Sequence, residues 1–349
     1  MINTKKILSR ALVLLPLAGG WQLAAAAEDP AVTALTQPGN SFEFGADYVR
    51  HDSYKFGEYN GLEKQGAYAV GNLDLAGGGS YDSDSVARWD FHAHDVGLQT
   101  SEAQLRFREQ GKFSLNLGYD QLLHNLSDSF QTPFLGAGTN TLTLPTGWLK
   151  PVVPQINGNL NYRSFDPFAG QGSVVNSAGV VVAPNAAQLA TLGAIVATDA
   201  GAFHPYNLHT QRRRGEVGFS ANLNPHLLLT GSLKHETQEG YRPLGADRSA
   251  INENAVILPE LVDTTTNQFA LGLEYTGRKF FLKAGYYGSN FNNDVSGMTW
   301  SDPANATQHG TMSTPPSNQF SQFNLSAGYN FSRTLHLAAD YSHGRARQN

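Results

Sequence analysis

Apolar and polar side chains alternate along run after run of this sequence, and a period of two is the mark of a strand with one greasy and one wet face. In VARWDFHAH (86–94), Trp89, Phe91 and Ala93 lie on one face and Arg88, Asp90, His92 and His94 on the other. In SEAQLRFRE (101–109), Ala103, Leu105 and Phe107 oppose Glu102, Gln104, Arg106 and Arg108. RRRGEVGFSA (212–221) sets Val217, Phe219 and Ala221 against Arg212, Arg214, Glu216 and Ser220. LLLTGSLKHE (227–236) sets Leu227, Leu229 and Leu233 against Thr230, Ser232, Lys234 and Glu236. A soluble sandwich alternates too, so the period alone does not choose between water and lipid. Strand length and the placing of the turns do.

Eleven strands are expected, near 41–51, 66–75, 86–95, 98–109, 112–122, 211–222, 226–237, 267–276, 279–289, 319–330 and 333–344. Ten or eleven residues at about 3.3 Å each, tilted about 40–45°, rise roughly 25 Å, the height of a barrel's apolar band. Tight turns follow the fourth, sixth, eighth and tenth strands, at Gln110-Gly111, Leu223-Asn224-Pro225, Gly277-Arg278 and Phe331-Ser332. Long loops follow the fifth, seventh and ninth, near 123–210, 238–266 and 290–318. Two junctions blur the pattern: 76–85 is long for the short side, and 95–98 is tight for the long side. Short turns on one side and long loops on the other mark an outer-membrane barrel, with the short turns periplasmic. The expected fold is all-β, a transmembrane antiparallel up-and-down β-barrel of outer-membrane type over residues 41–349. Tyr48, Tyr119, Tyr275, Tyr286, Tyr287, Tyr329 and Tyr341 fall at or near strand ends, where aromatic girdles sit.

Strand parity adds a condition. The count is odd, and the last residue is Asn349 rather than an aromatic. Such a sheet has two open edges, and each unpaired amide or carbonyl in hydrocarbon costs several kcal/mol. The sequence thus reads as the N-terminal part of a larger barrel, or as one that needs a partner to close.

The first residues read as an export address. Lys5, Lys6 and Arg10 precede the short apolar core ALVLLPLA (11–18), and Ala25-Ala26-Ala27 supplies a small-residue cleavage site, so residues 1–27 are expected to leave as a signal peptide. The apolar stretch is broken by Pro16, Gly19 and Gly20 and is too short to span a bilayer. Residues 28–40 are expected to form a periplasmic segment and the mature protein to reach the bacterial outer membrane. Losing three positive charges makes the formal net charge of −5 more negative still, which argues against nucleic acid as a partner. Cysteine is absent, which forbids covalent c-type haem, iron–sulfur clusters and thiolate zinc sites in this chain. The mean hydropathy of −0.32 does not oppose a barrel, because the wet half of each strand dilutes the average.

Little in the sequence carries catalytic chemistry. His92 and His94, at i and i+2 on a polar face, have the spacing to ligate a metal or lie near a haem, but are more simply polar wall residues. His51, His124 and His204 fall near strand ends or in loops. DSDS (82–85) follows a glycine run and lacks the spacing and closing Glu of a calcium loop. There is no P-loop, nucleophile elbow or HExxH, and no enzyme activity is expected. NAAQLATLGAIVATDA (185–200), in the longest loop, spaces Leu189, Leu192 and Val196 for a short helix that could cover the mouth or meet an outer partner. The expected inward, partner-facing set is Arg88, Asp90, His92, Glu102, Gln104, Arg106, Arg108, Arg212, Arg214, Glu216, Lys234 and Glu236. Its mixed signs suit a water-filled pore or a polar wall that meets a protein. Arg213 faces the other way, where it can reach lipid headgroups.

Five stretches, KFGEYNGL (55–62), HNLSDSFQTPFLGAGTNTLTLP (124–145), KHETQEGYRPLGA (234–246), LPELVDTTTNQFALGLEYTG (258–277) and FFLKAGYYGSNFNN (280–293), resemble the MtrB/PioB family of decahaem-associated outer-membrane proteins. The resemblance implies a large barrel that sheathes a periplasmic multihaem c-type cytochrome. That cytochrome would pass electrons across the outer membrane, sometimes to an extracellular multihaem cytochrome. In that picture the haem belongs to the partner and this chain carries no cofactor. Some members have a CxxC near the mature N-terminus; this chain has none, so no redox role tied to that pair is expected. Family chains are also longer than this one. At about 6.3 Å of circumference per tilted strand, eleven strands would enclose only about 22 Å between backbones, or about 10 Å once side chains line the ring. A multihaem cytochrome is wider. The leading expectation is a sleeve wall completed by further strands; the alternative is a passive diffusion porin, with 123–210 as a loop that folds into the lumen.

Overall fold

The computed structural model of the chain describes residues 39–79, 84–148, 174–175, 181–182, 185–247, 255–303 and 305–348. The expected signal peptide and nearly all of the 28–40 segment lie outside the described residues, as do Asp82 and Ser83 of the acidic turn.

Eleven antiparallel strands pair in chain order into one sheet, the number expected from the alternation. They are β1 (Ser41–Val49), β2 (Gly66–Gly78), β3 (Ala87–Val96), β4 (Ser101–Glu109), β5 (Phe113–Ser127), β6 (Leu208–Asn224), β7 (Leu227–Asp247), β8 (Ala255–Thr276), β9 (Phe280–Asn293), β10 (Asn318–Asn330) and β11 (His336–Gln348). Each strand pairs with the strands next to it in sequence, so the topology is up-and-down throughout. β1 and β11 are the edges of the described sheet and do not pair with each other, so the sheet is open as expected.

The tight turns are built by the residues that suit them. At β4–β5, Gly111 takes a φ of +77°, and the Lys112 amide donates to the Glu109 carbonyl at 3.0 Å. A side chain at Gly111 would strain this backbone conformation. At β6–β7 the register shifts between Asn222 and Asn224, and the His226 amide donates to Asn224 Oδ1 at 2.9 Å across Pro225. At β8–β9 the Gly277 amide closes the turn on the Phe280 carbonyl at 2.8 Å.

Register carries the alternation across the whole sheet, because directly opposed residues share a face. Trp89 faces Phe107, and Phe107 faces Leu115; Phe269 faces Gly288, and Tyr286 faces Phe323. The result is one apolar face. At its short-turn end Phe107 meets Phe113 (5.6 Å between ring centres), Tyr275 meets Phe280 (5.9 Å) and Tyr329 meets Phe331 (4.7 Å). Toward the long-loop end, Phe269 stacks on Tyr286 at 5.5 Å. These two rows are the girdles. Tyr48, Tyr119, Tyr275, Tyr286, Tyr329 and Tyr341 lie on this face, as expected. Tyr287 does not. It pairs with Gln322, on the polar face, because it sits one residue out of phase with Tyr286.

On the long-loop side the strands run further than the alternation predicts. The expected loop at 238–266 is mostly strand: β7 and β8 stay paired from Thr237↔Thr265 out to Asp247↔Ala255. Gly240, Pro243, Gly245 and Pro259 read as loop residues in sequence, yet Pro243 faces Pro259, so the two residues without an N–H share one rung. Beyond the membrane neither face must alternate, and the period loses its meaning there. The expected loop at 290–318 holds a second hairpin, Gly297–Asp302 paired with Asn305–Ser313. The loop at 123–210 holds the expected helix, α1 (Ala186–Gly201), and sends Thr141–Leu142 to pair in parallel with Thr299–Trp300. No helix among the described residues is long and apolar enough to cross a membrane.

These outer segments make the buried apolar core of the described residues. Phe134, Leu142, Ala246, Leu258, Met298 and Trp300 pack together, with Leu244 and Met312 against them. Beside them, Arg242 holds Glu260 through two bonds, Nε to Oε2 at 2.5 Å and Nη2 to Oε1 at 3.0 Å. The Glu260 side chain is only 4% exposed, so this carboxylate relies on its partner. Replacing Arg242 with Met is expected to cost about 3–5 kcal/mol by stranding a buried charge. Limited proteolysis should then cut the outer segments while the membrane sheet stays protected.

The loop 50–65 is tied down by Tyr54, whose hydroxyl donates to the Leu208 carbonyl at 3.1 Å. Burial, helped by Asp128 and Glu63, pushes its phenol up from 10.0 to about 12. The folded phenol therefore keeps its proton when the unfolded one has lost it. The contribution is intact below about pH 10 and fades as pH climbs toward about 12. Proteolysis of this loop should accelerate across that window in the native protein, and the acceleration should be absent in Tyr54→Phe.

Candidate functional site

The face opposite the apolar one carries the charge. All twelve residues expected to face inward lie on it: Arg88, Asp90 and His92 on β3; Glu102, Gln104, Arg106 and Arg108 on β4; Arg212, Arg214 and Glu216 on β6; Lys234 and Glu236 on β7. The register makes the connection through β5, where Asp120 is opposed by Glu102 on one side and Arg214 on the other.

Sequence reading missed the residue at the middle of this face. Asp120 takes Arg212 Nη2 at 3.0 Å and also binds Arg214 through Nε. It alternates in phase with Ser114 and Asn116, so the signal was present in GYDQLLHN, but Leu122, two residues on, breaks the polar run. Next to it, Lys234 pairs with Glu236 at 3.2 Å. Glu216 lies across Gly118, where a Cβ would stand 2.7 Å from its Cγ, so a larger residue there would push this carboxylate aside. His92, His94, Glu102, Asp120, Arg214 and Glu216 line a shallow pocket of about 290 Å³.

β2 brings another missed residue, Asp74. Its Oδ1 lies 2.7 Å from His92 Nδ1 and 3.8 Å from His94 Nε2, and His92 Nε2 is 3.5 Å from Asp90. The two histidines are thus held by carboxylates of the same wall. No group of three or more His, Cys, Asp or Glu fit to hold a metal occurs among the described residues. His124 continues this face at its long-loop end, opposite Thr210, and stacks on Tyr59 at 4.6 Å; His204 is outside it, with Nδ1 3.3 Å from the Ala202 carbonyl.

The short-turn end of the face is different. Arg88 is directly opposite Arg108, and like charges so placed repel. Arg88 donates to the Ser85 and Ala87 carbonyls at 3.3 and 2.8 Å, and Arg106 to Gln104 Oε1 at 2.9 Å. Among the described residues no carboxylate comes within ion-pair distance of Arg88, Arg106 or Arg108.

An apolar, girdled face backed by a charged one, on membrane-length strands joined up-and-down, defines the wall of an outer-membrane β-barrel. The profile of the MtrB/PioB outer membrane beta-barrel porins matches residues 48–349, and the chain belongs to that family. Outer membrane protein MtrB of Shewanella baltica is 23% identical over 247 residues, a match that spans 70% of this chain and 30% of that protein. Among solved structures, OmpT of Vibrio cholerae aligns with 88% of this chain and 66% of its own at 10% identity and a TM-score of 0.32. The toluene transporter TodX of P. putida aligns with 91% of this chain and 77% of its own at 12% identity and a TM-score of 0.25. The protein is an outer-membrane protein.

Asp120→Asn removes the carboxylate that both Arg212 and Arg214 use. Because the pair is partly wet, the expected loss is about 1–3 kcal/mol rather than that of a sealed ion pair. Urea unfolding from detergent micelles should register it, and Asp120→Glu should recover part of the loss.

Proposed function

We propose that this chain forms part of the wall of an insulating sleeve around a periplasmic multihaem c-type cytochrome, through which electrons cross the outer membrane. The observation that carries this reading is the set Arg88, Arg106 and Arg108 at the short-turn end of the charged face, where Arg88 stands opposite Arg108 and, among the described residues, none of the three has a carboxylate at ion-pair distance, Asp90 being opposite Arg106 in register. Opposed arginines are unfavourable alone and favourable against an anionic guest, such as a protein surface bearing carboxylates and haem propionates. The short-turn end is the periplasmic one, where such a guest would enter.

The division of labour follows. The apolar face meets lipid, the charged face meets the cytochrome, and the chain serves as wall rather than catalyst; with no Cys it attaches no c-type haem of its own. Export uses the signal peptide, cleaved after Ala27. The open sheet needs further strands to close, because eleven are too narrow for a multihaem guest and its edges cannot face hydrocarbon unpaired.

Arg88→Gln/Arg106→Gln/Arg108→Gln is expected to weaken capture of the purified multihaem cytochrome by about tenfold or more at ~0.1 M salt, and by less as salt rises. Haem absorbance co-eluting with the barrel measures it. A barrel recovered without haem from cells that make the cytochrome, and conducting ions alone in a bilayer, would replace the sleeve with a passive pore.

A further inference from the structure

The apolar face ends abruptly on the long-loop side. Above the Phe269–Tyr286 stack and Phe323, its residues become Asn267, Asn290, Ser321 and Gln319, all neutral and polar. Ser321 and Gln319 lie two and four residues beyond Phe323, about 5 and 10 Å higher at an ordinary strand rise and tilt. That is the depth of lipid headgroups. β11 places Arg345 opposite Ser321 and Arg347 opposite Gln319, on this same lipid-facing side. Among the described residues, neither arginine has a carboxylate at ion-pair distance. Arg213, on the same face of β6, is by contrast matched with Glu239 at 3.7 Å. A groove of about 510 Å³ runs from Asn267 and Phe269 across Tyr286 and Gln319 to the two arginines.

We propose that this groove binds a phosphorylated glycolipid of the outer leaflet, of the lipopolysaccharide class. Its acyl chains lie on Phe269, Tyr286 and Phe323, its sugar meets Asn267, Asn290 and Gln319, and its phosphate is clamped by Arg345 and Arg347. The arginines are two residues apart on one strand face, about 6.6 Å between backbones, close enough to share one phosphate or serve two on adjacent sugars. Arginine suits the task because its planar fork matches phosphate oxygens in pairs. Among the described residues no acid stands beside these two cations, and a lipid phosphate at headgroup depth would pair them. The assignment does not depend on what the charged face encloses, so its failure and that of the sleeve are separate results.

The test is native mass spectrometry of the protein extracted from outer membranes in mild detergent, with glycolipid retained per protein as the readout. Wild-type protein should carry the phosphorylated glycolipid. Arg345→Gln/Arg347→Gln should retain about tenfold less, the loss expected from one charge-assisted clamp. Arg333→Gln, at the short-turn end, should retain as much as wild type. If the double glutamine variant fails to insert, Arg345→Lys/Arg347→Lys keeps the charge and removes the fork, and should still retain less than wild type. Undiminished retention in the double variants, or equal loss in Arg333→Gln, would overturn the site. So would complete displacement of the glycolipid by phosphatidylglycerol at matched charge, since any anionic headgroup would then do.

Discussion

Hydrocarbon offers no partner to a peptide N–H or C=O, and everything in this structure answers to that. Each strand must exchange its backbone bonds with a neighbour over the full height of the membrane. Consecutive pairing in strict chain order achieves this from β1 to β11, with tight turns at most junctions on one side. Once the ladder is fixed, a period of two decides which side chain meets lipid. A slip of one residue would turn Arg214 and Glu216 into the bilayer and Val217 and Phe219 away from it. Register, and not burial in a core, is what specifies the membrane part of the fold.

The outer segments obey a different rule. Past the girdle, water can satisfy the backbone, so the chain is free to fold as a soluble protein does. It builds a small core around Leu142, Leu258, Met298 and Trp300, and shields Glu260 with Arg242. β7 and β8 extend through Pro243 and Pro259 only there, outside the hydrocarbon, where the two residues that lack an N–H share one rung. The same hairpin thus serves as membrane wall below and as scaffold for the outer core above.

This contrast explains what could be read from the residues alone. Strand number, order and the two faces were legible because lipid enforces alternation: all twelve charged or polar residues picked from four short runs share one face. Tyr287 was misplaced because adjacent tyrosines in one run give no phase of their own; only pairing with Gln322 fixes it. Asp74 and Asp120 were overlooked although both alternate in phase, since their in-phase neighbours Ala76 and Leu122 dilute the polar run. The outer extensions were illegible for a deeper reason. Their strands are held by contacts among distant loops, such as Thr141 beside Thr299, and no local period records a contact of that kind.

The charged face is not uniform, and its gradient bears on what it can hold. Midway along it the charges answer one another: Asp120 with Arg212 and Arg214, Lys234 with Glu236, Asp74 with His92. These pairs answer one another at short range, while the acids of this middle stretch (Asp74, Asp90, Glu102, Asp120, Glu216 and Glu236) outnumber its bases Arg212, Arg214 and Lys234. At the short-turn end Arg88 and Arg108 stand opposite each other with no ion-pair partner among the described residues, which favours a positive potential there, and clefts with low-dielectric walls focus such a potential. In the proposed sleeve, an anionic guest would be drawn in and oriented at the mouth. A pore selected for small solutes would gain little from repelling arginines at its entrance, whereas a sleeve that must seat one protein in one direction gains both steering and polarity from them.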